Sequence, residues 1–137
     1  MEIFLSVLKN KYADFNGRAR RKEYWNYVLF LFLIFLAAYA IMFVGLAMEF
    51  ALISGLGSFL AVIIALGTII PSLAVAVRRL HDTNRSGWFY LIGLIPLIGS
   101  ILLLVWFCTE GTHGDNDYGP DPKGSNEIGN IGNDELV

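Results

Sequence analysis

The chain has 137 residues, of which 55% are hydrophobic and only 16% are charged, and its formal net charge is −2. A soluble domain is typically about one quarter charged, so this composition argues against an ordinary soluble protein. The single cysteine, Cys108, excludes an intrachain disulfide and a cysteine-based metal site. The length is that of one domain, and we predict one membrane domain over residues 1–122 and a disordered polar tail over 123–137.

The N-terminal segment predicts a short amphipathic helix ahead of the apolar part of the chain. Phe4, Leu8, Tyr12 and Phe15 recur at helical spacing, so their side chains would share one face. We expect this helix to lie in the membrane interface. The alternative is a poorly ordered terminus.

Three long windows without a charged residue follow. Tyr24–Met48, Phe50–Val77 and Ser86–Thr109 hold 25, 28 and 24 residues. A helix needs roughly 20 mainly apolar residues to cross a hydrocarbon core of about 30 Å. A soluble protein would lack the polar surface to cover three such windows, and a cleaved signal peptide has a shorter apolar run. We therefore predict an all-α membrane protein with spans at about 24–48, 54–77 and 87–108.

Lysine and arginine residues are divided unevenly among the connections. Six precede the first window, none lies between the first and second, three lie between the second and third, and one follows the third. Basic residues resist translocation, so the pattern predicts a cytoplasmic N-terminus. With three crossings, the C-terminal tail would then lie on the opposite side.

The third window contains Gly93, Pro96 and Gly99, which could interrupt its helix. A chain that turned back there would have arms of about ten residues, or about 15 Å of helix, which is too short to cross. We favour a single kinked span. The alternative is a pair of short helices that returns the tail to the cytoplasmic side.

Two basic segments at the predicted cytoplasmic ends of the spans supply the candidate binding residues. Such clusters attract anionic lipid head groups by about 1 kcal/mol per charge, although they also act simply as topology anchors. Helical spacing would allow Arg20 to pair with Glu23, and Arg78 with Asp82 if the second span continues through them. The candidates for lipid or partner binding are Arg18, Arg20, Arg21, Glu23, Trp25, Arg78, Arg79, His81, Asp82 and Trp88.

Two further features invite a chemical interpretation. His81 beside Asp82 suggests acid–base chemistry, but no serine or cysteine nucleophile is evident nearby, so a polar knot or head-group binding is favoured. The acidic segment after the third window resembles a calcium loop, which needs Gly at position six and Glu at position twelve. Counted from Asp115, those positions hold Pro120 and Asn126. We expect a rigid turn there, with no metal and no cofactor.

Three motifs together resemble a family of small bacterial inner-membrane proteins, catalogued as domain of unknown function 805 and including YhaH and YhaI. The motifs are Gly17-Arg18-x-Arg20-Arg21-x-Glu23-Tyr24-Trp25, Arg78-Arg79-Leu80-His81-Asp82-x-x-x-Ser86-Gly87-Trp88 and Asn116-x-Tyr118-Gly119-Pro120-Asp121-Pro122. The resemblance covers roughly residues 10 to 122. It implies an inner-membrane location and brings no catalytic residues to this chain.

We therefore expect a non-enzymatic inner-membrane protein that acts through helix association and through contact of its basic cluster with anionic lipid or a protein partner. Gly57, Ala61 and Ala65 form a small-residue ridge that would pack helices together, within the chain or in a homo-oligomer. The alternatives are a subunit of an oligomeric transporter or channel and a lipid-modifying enzyme. No nucleic-acid partner is expected.

Overall fold

The computed structural model of the protein describes residues 1–124, and the predicted tail from residue 125 onward lies outside this range. The regular structure in the described range is helical, apart from one isolated bridge between Asn116 and Gly119. It consists of α1 (Glu2–Asn10), α2 (Arg21–Ala47), α3 (Ala51–Asp82), a 3₁₀ helix (Gly87–Leu94) and α4 (Ile98–Cys108).

Helices α2 and α3 account for the first two charge-free windows, as predicted. They have 27 and 32 residues, and both are long and apolar enough to cross a bilayer. Their large side chains are mostly exposed: Phe32 is 61% and Leu52 is 87% accessible. Exposed apolar surface costs about 25 cal/mol per Å² in water but nothing comparable in lipid, so these faces suit a hydrocarbon environment.

The contacts of the chain define two compact units. The first contains Met1–Ala13 and Trp25–Leu73, and the second contains Asp14–Tyr24 and the described residues from Ala74 onward. All candidate binding residues except Trp25 belong to the second unit.

In the first unit, α1 forms at the predicted place but ends at Asn10. Its buried residues are Phe4 and Val7, and the Phe4 ring stacks on Tyr27 of α2 with the ring centroids 5.5 Å apart. Tyr12 lies beyond the helix and donates a hydrogen bond to the carbonyl of Gly67 at 2.8 Å. The apolar face of α1 therefore packs on α2. The helix itself is shorter than the sequence pattern predicted.

The hairpin of α2 and α3 depends on two glycines. A side chain at Gly45 would overlap the backbone of Ser54, and one at Gly57 would overlap the backbone of Met42. Gly57 and Ala61 of the predicted ridge are buried within this chain, whereas Ala65 is exposed. Glu49 closes the turn between the helices with a φ of 57°. The ridge thus serves packing of the chain against itself.

In the second unit, the third window differs from the kinked single helix that the sequence favoured. Ser86 caps the 3₁₀ helix, accepting a hydrogen bond from the Trp88 amide, and the chain then reverses through Leu97, whose φ is 64°. Gly99 at the start of α4 lies directly against the carbonyl of Ile92. Neither arm reaches the roughly 20 residues of a span. The segment is a short helical hairpin, the alternative that the glycines and Pro96 allowed.

The C-terminal end of α4 returns to the C-terminal end of α3. Leu103 and Phe107 of α4 form a buried apolar cluster with Ala76 and Leu80 of α3. The Tyr24 ring at the start of α2 packs on Phe107, with the centroids 4.5 Å apart. This packing brings the segment that follows Cys108 to the polar end of the second unit, where the candidate residues lie.

Candidate functional site

Asp82, the last residue of α3, is the centre of a buried ion-paired knot. Its Oδ1 is 3.0 Å from Arg18 Nε, and its Oδ2 is 2.5 Å from Arg79 Nη1. The side chain of Arg79 is fully buried, and that of Arg18 is 1% exposed. Burying charges is costly unless the remaining donors are also satisfied. Because two cations share one carboxylate here, the other guanidinium hydrogens must find neutral acceptors.

Backbone carbonyls supply those acceptors. Arg79 donates to the carbonyl of Phe107 at 3.1 Å and to that of Thr109. These carbonyls lie at the end of α4, where the helix leaves its acceptors without partners. Arg18 donates to the carbonyls of Thr112 and Gly114, at 2.5 Å and 2.6 Å. The two arginines therefore hold the end of α4 and the segment after it against α3.

Arg78 binds the segment before α2 to the C-terminal end of α3. Its Nη1 lies 2.5 Å from Glu23 Oε1, and its Nε donates to the carbonyl of Asp14 at 3.0 Å. The backbone supports this contact, since the Ala19 amide donates to the Arg78 carbonyl at 2.9 Å. Nη2 of Arg78 is buried without a partner among the described residues.

Neither of the two pairs that helical spacing allows is the one that forms. Glu23 pairs with Arg78 rather than Arg20, and Asp82 pairs with Arg18 and Arg79 rather than Arg78. Exposed pairs at that spacing contribute only about 0.2–0.5 kcal/mol. Removing one partner of a buried pair costs roughly 3–5 kcal/mol. Tertiary ion pairing between distant segments therefore outweighs the local preference.

His81 contacts the third motif. Its ring stacks on Tyr118 with the centroids 4.0 Å apart and the planes within 4°, and its Nδ1 lies 3.2 Å from the carbonyl of Gly17. Asn116 donates to the carbonyl of His81 at 2.9 Å and to Thr112 Oγ1 at 2.8 Å. All three motifs thus meet at one place. The three-span prediction separates the third motif from the other two, whereas the hairpin brings it beside them.

A cavity of about 290 Å³ opens beside the knot. Five cationic and two anionic side chains border it, so its formal charge is three positive without counting histidine. The guanidinium of Arg20 has no ion-pair partner among residues 1–124. The charged border consists of Arg18, Arg20, Arg21, Lys22, Lys123, Asp82 and Asp121. This arrangement is suited to binding a small anion.

The sequence candidates fall into three groups. Arg18, Arg78, Arg79, His81, Asp82 and Glu23 build the knot, whereas Arg20 and Arg21 border the cavity. Trp88 is 79% exposed and does not border the cavity, and Trp25, which belongs to the first unit, is 37% exposed.

The sequence missed the contribution of the segment after α4 to the cavity wall. This segment supplies Lys123, Thr112 and His113. Gly111 lies directly against the Asp82 carboxylate. The third motif was the signal for these residues, but the three-span topology placed it on the other side.

Two of the cations that border the cavity, Arg21 and Lys123, share one exposed carboxylate. Glu110 lies 3.2 Å from Arg21 Nη2 and 2.5 Å from Lys123 Nζ. The hydrogen bond and charge of Lys123, together with Arg21, hold the pKa of Glu110 below its ordinary value. Backbone hydrogen bonds from Lys123 and Gly114 likewise lower the pKa of Asp121. Both carboxylates are therefore charged at neutral pH.

These features define a small all-helical membrane protein with two long apolar helices, a short helical hairpin and a polar knot at the helix ends. A family profile described as "Protein of unknown function (DUF805)" matches residues 12–120, and the chain belongs to this family. The resemblance that the three motifs predicted is thereby confirmed.

Two curated relatives from Escherichia coli K12 match over nearly their whole length. The chain is 48% identical to "Inner membrane protein YhaI" over 127 residues, which are 92% of this chain and all of that protein. It is 44% identical to "Inner membrane protein YhaH" over 123 residues, which are 90% of this chain and 98% of that protein. No solved structure matches significantly. Both relatives are named as inner membrane proteins, in agreement with the apolar helices.

Proposed function

We propose that this protein crosses the inner membrane twice, through α2 and α3, and binds the phosphate-bearing head group of an anionic lipid in its basic cavity. The observation that carries the proposal is the cavity itself, with five cations and two carboxylates on its border. Arg20 to Lys22 lie at the very start of α2, where a membrane helix meets the head-group region. The role is one of binding rather than catalysis.

The distribution of basic residues supports this topology. With two crossings, the segments before α2 and after α3 share one side, and the short turn at Glu49 lies on the other. All ten lysines and arginines then fall at or beyond the ends of the helices on the first side, and none lies in the turn. The positive-inside rule assigns that side to the cytoplasm. The tail after α4 is cytoplasmic as well, unlike in the three-span arrangement.

Phosphate is the group that this border suits best. Arginine and lysine form short, charge-assisted hydrogen bonds with phosphate oxygens. Arg18 is held in place by Asp82 and two carbonyls, so its position is fixed before any ligand arrives. Arg20, which lacks an ion-pair partner among the described residues, is the residue we expect to contact the phosphate directly. A fixed wall and one available guanidinium make an anion site that requires little rearrangement.

Lipid retention by the purified protein tests the proposal. Native mass spectrometry would compare phosphatidylglycerol with phosphatidylcholine, added at equal concentration to the protein in mild detergent. We expect selective retention of phosphatidylglycerol. The double variant Arg20→Gln/Lys22→Gln should bind it more weakly by a factor of about thirty, since each of the two charges contributes about 1 kcal/mol.

The matched control is Lys9→Gln/Lys11→Gln, which removes the same charge from the N-terminal segment outside the cavity. Equal retention of both lipids by the wild-type protein, or equal weakening by both double variants, would contradict the proposal. Solute flux or lipid turnover by the reconstituted protein would instead support the transporter or enzyme alternatives.

A further inference from the structure

A second cavity, of about 460 Å³, lies in the same unit and is mainly apolar. The helical hairpin forms most of its wall, with Leu91 and Leu94 from the 3₁₀ helix and Leu103 and Leu104 from α4. The aromatic ring of Tyr24 completes the wall from α2. We call this cavity the hairpin groove.

The hairpin groove is open to its surroundings rather than sealed within the protein. Leu94 is 80% exposed, and Leu91 and Leu104 are each about half exposed. A glycine keeps the groove wide, because a Cβ on Gly93 would lie 2.8 Å from Leu103 Cδ1. In a membrane-embedded hairpin, such an open apolar groove adjoins lipid chains rather than water.

The groove adjoins the basic cavity along the start of α2. The Tyr24 amide donates to the Arg20 carbonyl at 3.1 Å, so these residues are one helical turn apart on the same face. Arg20 borders the basic cavity, and Tyr24 lines the groove. On the α4 side, Phe107 lines the groove while Arg21 Nη1 lies 3.4 Å from the neighbouring Cys108 carbonyl. The basic cavity and the hairpin groove are therefore about one helical turn apart along the start of α2.

We propose that the hairpin groove holds one acyl chain of the anionic phospholipid whose phosphate occupies the basic cavity. This inference rests on the proposed function and extends it from a head group to a whole lipid. A phospholipid joins a phosphate to acyl chains over a short glycerol unit, which matches the order of the two sites. The bilayer is as apolar as the groove, so the groove acts through close packing of the chain rather than through the hydrophobic effect.

The test separates the two sites with two probes, phosphatidylglycerol and glycerol 3-phosphate, the second of which lacks acyl chains. Ser100→Trp in α4 would fill the groove with a bulky ring. We expect this variant to retain phosphatidylglycerol about fivefold less than the wild type while binding glycerol 3-phosphate equally well. Arg20→Gln/Lys22→Gln should weaken the binding of both probes.

The matched control is Ile101→Trp, which adds the same ring at an exposed position of α4 outside the groove. Leu94→Trp, on the opposite wall, is the second filling variant should Ser100→Trp fail to fold. Unchanged lipid retention in a folded filling variant, with glycerol 3-phosphate still bound, would overturn the acyl-chain inference and leave the head-group proposal standing. If neither probe binds the wild-type protein, both proposals fall.

Discussion

In the buried knot, the single carboxylate of Asp82 is paired with two guanidinium groups, those of Arg18 and Arg79. Asp82→Asn keeps the shape but removes the charge that Arg18 and Arg79 share. Two buried cations would then lack a counter-charge, and we expect a loss of roughly 3–5 kcal/mol of stability. Thermal unfolding in detergent, followed by tryptophan fluorescence, measures the effect. Asp117→Asn, at an exposed carboxylate, is the control, and equal melting temperatures for the two variants would contradict the knot.

A substitution at Gly111 would also disturb the Asp82 carboxylate, because this glycine packs directly against it. A Cβ at this position would overlap the carboxyl group of Asp82, which two ion pairs hold in place. We therefore expect Gly111→Ala to lower the melting temperature and to loosen the segment after α4, with a cost of about 1–3 kcal/mol. Gly124→Ala meets only an ordinary contact of 3.7 Å and should be close to neutral. A Gly111→Ala variant as stable as Gly124→Ala would show that the segment does not pack on Asp82.

The carboxylate of Asp121 makes the order of the segment after α4 depend on pH. Its carboxylate accepts hydrogen bonds from the amides of Lys123 and Gly114, both at 2.9 Å, and its pKa lies below the ordinary aspartate value of 3.8. A carboxylate with a lowered folded-state pKa stabilises the fold above its unfolded value and loses that contribution as the pH falls through the folded value. We expect the two amides to stay protected from hydrogen exchange at pH 5 and to lose protection only below pH 3.8. Loss of protection at pH 5 would contradict this assignment.

At the scale of elements, the pairing of α2 with α3 depends on one face of α3. A Cβ at Gly57 would lie 2.7 Å from Met42 Cα, whereas a Cβ at Gly55 would meet nothing within 4 Å. Gly57→Ala should push the helices apart and lower the melting temperature. Gly55→Ala should be neutral or stabilising by up to about 1 kcal/mol, because alanine favours helix. If the two variants melted alike, the helices would not pack through Gly57.

The elements also show which parts of the fold were predictable. α2 and α3 follow from the length and apolarity of their windows, because a helix satisfies the backbone hydrogen bonds of a segment that lies in lipid. The hairpin could not be deduced in the same way. Its local signal, Pro96 between two glycines, fits both a kink and a reversal. The contact that distinguishes them, Arg79 with the carbonyls at the end of α4, joins residues about 30 positions apart.

The candidate site shows the same division. The sequence predicts the two basic motifs at neighbouring helix ends, and the structure joins them through Arg18 and Asp82. Their pairing could not be predicted, because Arg18 and Asp82 are 64 positions apart and nothing in their local sequence indicates the pair. The cavity needed the third motif as well, and its position depends on the direction of α4. The three-span prediction, with the third motif on the opposite side, therefore gave no sign of the part of the wall that follows α4.

At the scale of the whole molecule, the two-crossing proposal makes a prediction that a three-crossing protein cannot meet. We expect a fluorescent protein fused after Val137 to fluoresce, because it folds in the cytoplasm, and alkaline phosphatase inserted at Glu49 to be active outside. Three crossings would give the same result at Glu49 but an active phosphatase at the C-terminus, so the C-terminal fusion decides between them. The physical reason lies in α4, whose 11 residues reach about 16 Å, roughly half of a bilayer core. A C-terminus found outside would require α4 and the 3₁₀ helix to straighten into one span. That change would separate Arg79 from the carbonyls of Phe107 and Thr109, and it would remove the part of the basic cavity's wall that follows α4.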